Sequence, residues 1–287
     1  MLKSTTPTVS IIIPAYNEAS VIRQCLLATI NQSAPAEEIV VVDNLSTDAT
    51  AEIVRDMQRE FPDAGIQLLE QSDEQGITPT RNYGFNHATG DVLGRIDADS
   101  VIESDWVEQV KKAFSDETVA AATGPVVYTD MPMKEFGLKA DHATRKFLSR
   151  IANKYQFLFG SNMAIRASAW RAIRSETCAD REDKMHEDID LSIHVASHGL
   201  RIVYVPTMVG GMSARRLEDS PKDYHYYVMR FERTYAAHAI KNPALRVPIG
   251  IYLAIYFPLK ALRALHVKRG DRVKAQEDNE SLLLENE

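Results

Sequence analysis

Short apolar runs alternate with stretches of helical spacing from the first residues onward. Val9 to Ile13 reads as a buried strand, apolar on both faces, that Pro14 ends. Ala19 to Ile30 then repeats Val21, Ile22, Cys25, Leu26 and Thr29 at helical spacing, which makes Cys25 a core position. Ile39 to Val42 is a second strand, and Ser46, Thr47 and Asp48 offer capping oxygens to a helix closing near Phe61 and Pro62. Gly65 opens a third run through Leu69, and Thr78 to Ala88 is helical, with Gly90 after its end. Val92 to Ile96 is a fourth strand that delivers Asp97, Ala98 and Asp99 at its carboxyl end, and Trp106 to Phe114 is the next helix. The second half alternates less regularly. It predicts a strand over Val119 to Val127, a helix over Glu135 to Asn153, and a strand over Phe157 to Ile165 broken at Gly160-Ser161-Asn162. A helix over Asp188 to Ser197 with Gly199 as its cap and a last strand over Ile202 to Val205 complete the pattern.

Strand and helix repeated at this spacing predict an α/β fold with parallel strands and right-handed crossovers, whose ligands sit outside the strands' carboxyl ends. Polar residues at those ends become the candidates. After about Gly211 the chain turns Tyr- and Arg-rich to Tyr235, then apolar, then basic, then acidic, and no tandem repeat is present. We expect a main domain over residues 1–215 and a helical extension over 216–287 with an acidic tail. The 287 residues are 45% hydrophobic and 25% charged, the proportions of a globular chain with a real core. Thirty-three Lys plus Arg against 40 Asp plus Glu leave a net charge of −7, so no global basic field points to nucleic acid. Any anionic ligand must be held locally. Cys25 and Cys178 form neither a disulfide framework nor a metal-ligand pair, which predicts a reducing compartment. The N-terminal residues lack the pattern of a signal peptide, which predicts a cytoplasmic chain. The longest uncharged apolar run, Val247 to Leu259, falls short of the roughly 18 to 20 residues of a membrane span.

Alternating α/β chains commonly hold a dinucleotide or nucleoside triphosphate on a glycine-rich loop. Here no two of the 13 glycines have a single residue between them, which removes G-x-G-x-x-G, and none is followed by Lys at P-loop spacing. A phosphate must then be neutralised by a carboxylate-held metal or by arginines. Arg95-Ile96-Asp97-Ala98-Asp99-Ser100 places two carboxylates one residue apart after an apolar strand. In an extended continuation both point to one side, and hard oxygen ligands with open positions suit Mg²⁺ or Mn²⁺ bridging a diphosphate. A unit charge pair about 4 Å apart is worth about 4 kcal/mol at an effective dielectric of about 20, so a divalent ion eases diphosphate departure substantially. Asp43 ends the second strand, beside Tyr16 and Asn17 at the end of the first. This carboxylate fits a hydrogen bond from a nucleobase edge while an aromatic ring packs nearby. Ser46, Asp48 and Thr50 read instead as caps of the following helix, a role that does not require Asp43.

Five ordered motifs resemble glycosyltransferase family 2: Pro14-Ala15-Tyr16-Asn17-Glu18, Asp43 to Thr50, Gly76-Ile77-Thr78-Pro79-Thr80-Arg81-Asn82-Tyr83-Gly84, Asp97-Ala98-Asp99 and His186-Glu187-Asp188. The similarity runs from about Thr8 to Pro206. It implies the GT-A fold, a Rossmann-like sheet with helices on both faces, with a nucleotide-sugar half over 1–100 and an acceptor half over 101–215. It further implies that Asp43 contacts the base and that Pro14, Tyr16, Glu18 and Ala98 line the donor pocket. Arg81 would lie near base and phosphates, Asp97 near ribose and metal, and Asp99 on the metal. Thr80 stands where Ala is usual and Leu45 where a small residue is common, changes that alter pocket shape. The expected activity is a metal-dependent, inverting transfer of a hexose from a nucleotide sugar, UDP-linked or alternatively GDP-mannose, to a glycan or lipid-linked acceptor.

Glu187 and Asp188 open a helix whose positive end favours an ionised carboxylate. Such a group serves either helix stability or proton abstraction, and the resemblance implies that Asp188 is the base. His194 and His198 share a helix face, yet with no third ligand indicated we expect rim histidines and no zinc. Gly160, Ser161 and Asn162 resemble the family's acceptor segment, although core packing explains the neighbouring aromatics equally well. Gly210 to Arg216 reads as a loop that closes on the diphosphate through Arg215 and Arg216, or as a solvated loop. Residues 247–274 set apolar anchors beside clustered cations. They suit an anionic membrane surface, with the protein peripheral on the inner face of the plasma membrane, and equally a helix packed on the domain or a partner. The Gln-x-x-Arg-Trp motif of processive synthases does not occur, so a single transfer is expected. Two rivals remain. A nucleotidyltransferase would want a Gly-rich loop with Lys near its start, and a silent binding scaffold would be expected to lose Asp99 or Asp188; both carboxylates are here.

Overall fold

A computed structural model describes residues 6–151 and 156–284, with side chains described as far as Lys268. The first half reads β1 (Val9–Ala15), α1 (Ile22–Ile30), β2 (Glu38–Asp43), α2 (Thr50–Glu60), β3 (Ile66–Glu70), α3 (Ile77–His87) and β4 (Val92–Ile96). β5 (Val101–Ile102), α4 (Trp106–Phe114), β6 (Val119–Thr123), β7 (Val126–Tyr128), α5 (Lys134–Ile151) and β8 (Asn162–Arg166) follow. The rest is α6 (Ala167–Ile173), α7 (Glu187–Ser197), β9 (Arg201–Tyr204), β10 (Gly210–Met212), α8 (Pro221–Val228), α9 (Arg230–Ala237) and α10 (Arg246–Leu284).

Seven strands form the main sheet in the order β3-β2-β1-β4-β8-β6-β9. The first four are mutually parallel, as the β-α alternation requires. Alternation along β1 and β2 sends Ile11, Ile13, Ile39 and Val41 to one face, against Cys25 and Leu26 of α1, Met57 of α2 and Trp106 of α4. Ile12, Val40 and Val42 go to the other face, against Phe85 of α3, Trp170 of α6 and Leu191 of α7. The sheet is therefore buried on both sides, which is why its strands read as continuous apolar runs.

Three expectations need correction. Pro14 does not end β1. Thr8 O accepts from Val92 N on the β4 side, whereas Val9 O and Ala15 O accept from Glu37 N and Asn44 N on the β2 side. Even-numbered residues thus face β4, whose pairing stops at Ile12, so the missing N–H of Pro14 costs no ladder bond. The run Val119 to Val127 is two strands in different sheets, because the chain turns at Gly124, where a Cβ would lie 1.8 Å from the Met208 carbonyl oxygen. β7 joins a second, three-stranded sheet, β5-β10-β7, beside the central seven-stranded one. The chain re-enters the main sheet from the opposite end, and β8 runs antiparallel to both β4 and β6. The strand expected over Phe157 to Ile165 accordingly begins only at Asn162. Asn153, the expected end of α5, lies outside the described residues.

Beyond β10, Tyr224, Val228, Tyr235, Leu245, Ile249 and Tyr256 pack with Ile189 and Ile193 of α7 into a third apolar cluster. α10 continues through Pro258, so the apolar and basic segments form one helix. The stretch Pro243–Lys268, from just before α10 into that helix, is long and apolar enough to cross a membrane by length and composition, although no uncharged run there reaches that length.

Candidate active site

The carboxyl ends of β1, β2 and β4 lie side by side and bring the motif residues to one edge of the sheet. After β1 the chain turns at Asn17, in the left-handed region at φ 55°. Asn17 N donates to Ser46 Oγ at 2.9 Å and its Oδ1 accepts from Thr47 N at 2.8 Å, bonds that hold this Asn in a conformation it tolerates. Glu18 N donates to Thr50 Oγ1 at 2.8 Å and Ala19 N to Asp48 Oδ2 at 3.1 Å. Ser46 and Thr50 therefore tie the loop after β1 to the start of α2 and do not cap that helix, while Asp48 Oδ1 accepts from Thr50 N at 3.0 Å.

Asp43, the last residue of β2, is 7% exposed. Its Oδ2 accepts a long 3.3 Å bond from Ser46 N, and its buried Oδ1 has no hydrogen-bond partner among the described residues. Tyr16, 48% exposed, stands beside it as an open ring. Pro14 and Ala98, expected to line the pocket, are buried in the fold.

Asp97 to Asp99 forms a turn, not the extended continuation expected, because Ser100 N donates to Asp97 O at 3.0 Å and Asp97 N to Ser100 Oγ at 3.1 Å. Asp99 is 7% exposed, with Oδ1 unpartnered among the described residues. Burial first, and then the charge of Asp97, push its pKa up to about 6 against the pull of Arg215. Arg215 Nε lies 3.1 Å from Asp99 Oδ2, and its two other nitrogens donate to Glu18 at 2.6 and 2.5 Å. A buried carboxylate with an unsatisfied oxygen, beside a second carboxylate, is a hard-oxygen set that fits Mg²⁺ or Mn²⁺.

On the far side, Glu187 opens α7 between two guanidiniums. Arg95 Nη1 donates to Glu187 Oε1 at 2.7 Å, while Arg81 Nη1 pairs with Oε2 and also donates to the Glu187 carbonyl at 3.0 Å. Burial alone would raise its pKa, but Arg95 and Arg81 outweigh burial and hold the carboxylate below its ordinary range. Arg81, expected near base and phosphates, is fully buried and committed to Glu187 and to Asn82 Oδ1. Arg95, given no role from the sequence, also donates to Asp97 Oδ1 at 2.8 Å and so links the β4 motif to α7. An arginine inside an otherwise apolar strand was the available signal.

Asp188 is half-buried. Its Oδ2 accepts from Gly160 N at 2.7 Å, and its Oδ1 from Ile189 N at 2.8 Å. Burial, then the Glu187 charge, push its pKa up to about 6. Gly160 is required here, since a Cβ would lie 1.5 Å from Arg95 Nη1. Ser161 is half-buried beside it. Asn162, expected on the acceptor side, is fully buried and saturated: its Nδ2 donates to Pro125 O and Met208 O, and its Oδ1 accepts from Trp106 Nε1 at 2.7 Å. Asn162 thus joins the two sheets, its side-chain amide fully used within the fold. Arg216 stacks 4.4 Å over the Tyr227 ring and pairs with Asp219, away from Asp99. His186 is buried against Tyr227 and Phe231, and burial followed by nearby Arg230 lowers its pKa to about 3. His198 and His194 both face Glu176, at 2.8 and 3.6 Å, and His194 also lies near Asp190.

The profile of the family described as Glycosyl transferase family 2 matches residues 10–177, more than half of the chain. Glycosyltransferase AglE of Haloferax volcanii is 35% identical over 130 residues, 45% of this chain and 42% of that protein, so the match spans less than half of that relative. Among solved structures, a mannosyltransferase from Pyrobaculum calidifontis in complex with GDP-Man and Mn²⁺ is 23% identical with a TM-score of 0.62, over 98% of this chain and 81% of that one. Glucosyl-3-phosphoglycerate synthase from Mycobacterium tuberculosis, in complex with Mn²⁺, UDP and glucosyl-3-phosphoglycerate, is 15% identical with a TM-score of 0.54, over 83% and 82%. These likenesses establish the fold alone. Sheet topology, strand-end carboxylates and profile match together make this chain a member of glycosyltransferase family 2, with the GT-A fold.

Proposed function

We propose that the protein transfers a hexose from a nucleoside-diphosphate donor to an acceptor hydroxyl, with inversion at the anomeric carbon. The observation that carries this reading is the pair of buried, unpartnered oxygens, Asp43 Oδ1 and Asp99 Oδ1, at neighbouring strand ends. Buried polar atoms normally have partners, so each marks a contact completed by a ligand. Asp43 offers one free oxygen, which matches the single N3–H donor of uracil and supports a UDP-linked sugar. Tyr16 packs near the base, and Glu18 remains beside the pocket once Arg215 leaves it. Mg²⁺ or Mn²⁺ held by Asp97 and Asp99 would neutralise charge on the departing diphosphate.

Asp188 takes the acceptor hydroxyl's proton as that oxygen bonds the anomeric carbon and the bond from this carbon to the diphosphate breaks. Its pKa, raised to about 6, leaves it mostly ionised at neutral pH and basic enough to accept that proton. Glu187, locked by Arg81 and Arg95, supplies the fixed negative charge that keeps its neighbour's affinity for a proton high. Arg215 exchanges its bonds to Asp99 and Glu18 for the diphosphate, while Ser161 borders the acceptor side. A single sugar is transferred per acceptor.

A second reading, GDP-mannose as donor, is favoured by the likeness to the mannosyltransferase bound to GDP-Man. We further propose that α10 rests on an anionic membrane surface at the cytoplasmic face and that the acceptor is lipid-linked or part of a cell-envelope glycan. Much of the stretch Pro243–Lys268 is exposed, with Val247, Ile251, Phe257 and Leu265 open to solvent beside basic residues. We also propose the functional division given above, a transferase domain over 1–215 and an extension over 216–287. A thermal-shift series with UDP-hexoses and GDP-mannose, with and without Mn²⁺, tests the donor, since a ligand that binds only the native state raises Tm by mass action. A metal-dependent shift with one UDP-sugar is expected; shifts with none of these donors would remove the reading.

A further inference from the structure

We propose that Asp190, His194 and His238 form a second metal site, for Zn²⁺, which fastens the C-terminal helices to the helix carrying Asp188. The three side chains come from α7 and from the residue that follows α9, and their donor atoms all lie within 4.8 Å of one another. Asp190 Oδ1 is 2.7 Å from His238 Nε2 and 3.5 Å from His194 Nε2. Ligands about 2.0–2.1 Å from a tetrahedral ion stand roughly 3.3–3.5 Å apart, so side-chain rotation alone suffices to seat the ion. The rings meet edge to face, with centroids 5.2 Å apart at 75°, and both Nε2 atoms face one carboxylate oxygen.

The surroundings point the same way. Asp190 is 2% exposed, and its other oxygen, Oδ2, accepts from Cys178 N at 3.0 Å, which leaves Oδ1 to act as a single-oxygen ligand. Glu176 Oε2 lies 3.6 Å from His194 Nδ1, the ring nitrogen turned away from the cluster. Metal-bound histidines almost always give that second nitrogen to a carboxylate, carbonyl or water, which fixes the ring orientation. Two imidazoles and one carboxylate suit a borderline ion such as zinc, in contrast to the all-oxygen pair Asp97 and Asp99. Asp190 is two residues from Asp188, and His238 ends α9, so the ion would dock the C-terminal segment onto the start of α7. The inference does not depend on the transferase reading.

Zinc content of the full chain, purified with Zn²⁺ and dialysed against metal-free buffer, tests this directly by elemental analysis. One equivalent per chain is expected, retained by Asp99→Asn and lost by His238→Gln and His194→Gln. Retention that disappears in Asp99→Asn would assign the ion elsewhere and overturn the proposal, as would no zinc in the wild-type chain or equal retention by all variants. Should the His variants fail to fold, the wild-type chain loaded with Co²⁺ decides. Visible absorption bands of a four- or five-coordinate ion with nitrogen ligands support the site, and the pale spectrum of an octahedral ion overturns it.

Discussion

Glu187 and Asp188 adjoin in sequence, yet Glu187 lies between Arg81 and Arg95 while Asp188 meets a backbone N–H and partly open surface. Their environments push the two pKa values apart, the arrangement by which neighbouring carboxyls take different roles. Asp188→Asn should lower kcat by roughly 10²- to 10⁴-fold, the usual contribution of a general base, while the donor-induced rise in Tm persists. Wild-type turnover should fall as pH drops through about 6, because the protonated acid cannot accept the acceptor's proton. Turnover by the variant near the wild-type rate would remove the assignment. At this scale the positions of single carboxylates were legible, since Asp43 and Asp97 follow apolar runs that the structure forms as β2 and β4. Their partners were not. Arg81 and Glu187 are 106 positions apart, and Asp190 meets His238 across 48, distances at which no local spacing carries information.

Among elements, the parallel half was legible because apolar runs buried on both faces and regular helix spacing point to one topology. The second half was not, because β5, β7 and β10 have two or three residues each, too few for any period to register. Residues 156–161, just before β8, are held by side-chain partners instead of by ladder bonds, Leu158 N donating to Ser192 Oγ and Gly160 N to Asp188 Oδ2, with Gly160 pressed on Arg95. Gly160→Ala should therefore destabilise the fold by about 1–3 kcal/mol, the range for overpacking, and displace Arg95 from Glu187. Gly137→Ala, inside α5 with nothing within 4 Å of the added carbon, should be neutral or stabilising by up to about 1 kcal/mol. Urea unfolding of the two variants measures the contrast, and equal effects would contradict the packing described.

For the whole molecule, α10 divides its loyalties. Leu245, just before it, Ile249 and Tyr256 sit in the third apolar cluster, while Ile251, Phe257 and Leu265 face outward. Ile251→Asp, Phe257→Asp and Leu265→Asp combined should leave Tm within a few degrees and abolish flotation with anionic liposomes. Undiminished flotation would exclude this face as the membrane contact. Composition announced such a segment; which residues it buries depends on α8 and α9 folding beneath it. The Arg215 bridge links residues 197 positions apart, from Glu18 near the start to the loop after β10. Its guanidinium already has anionic company, so an arriving diphosphate replaces one set of ion pairs with another and adds few. Added salt weakens both sets together, and donor affinity should respond to ionic strength more gently than at a site whose arginine waits in solvent.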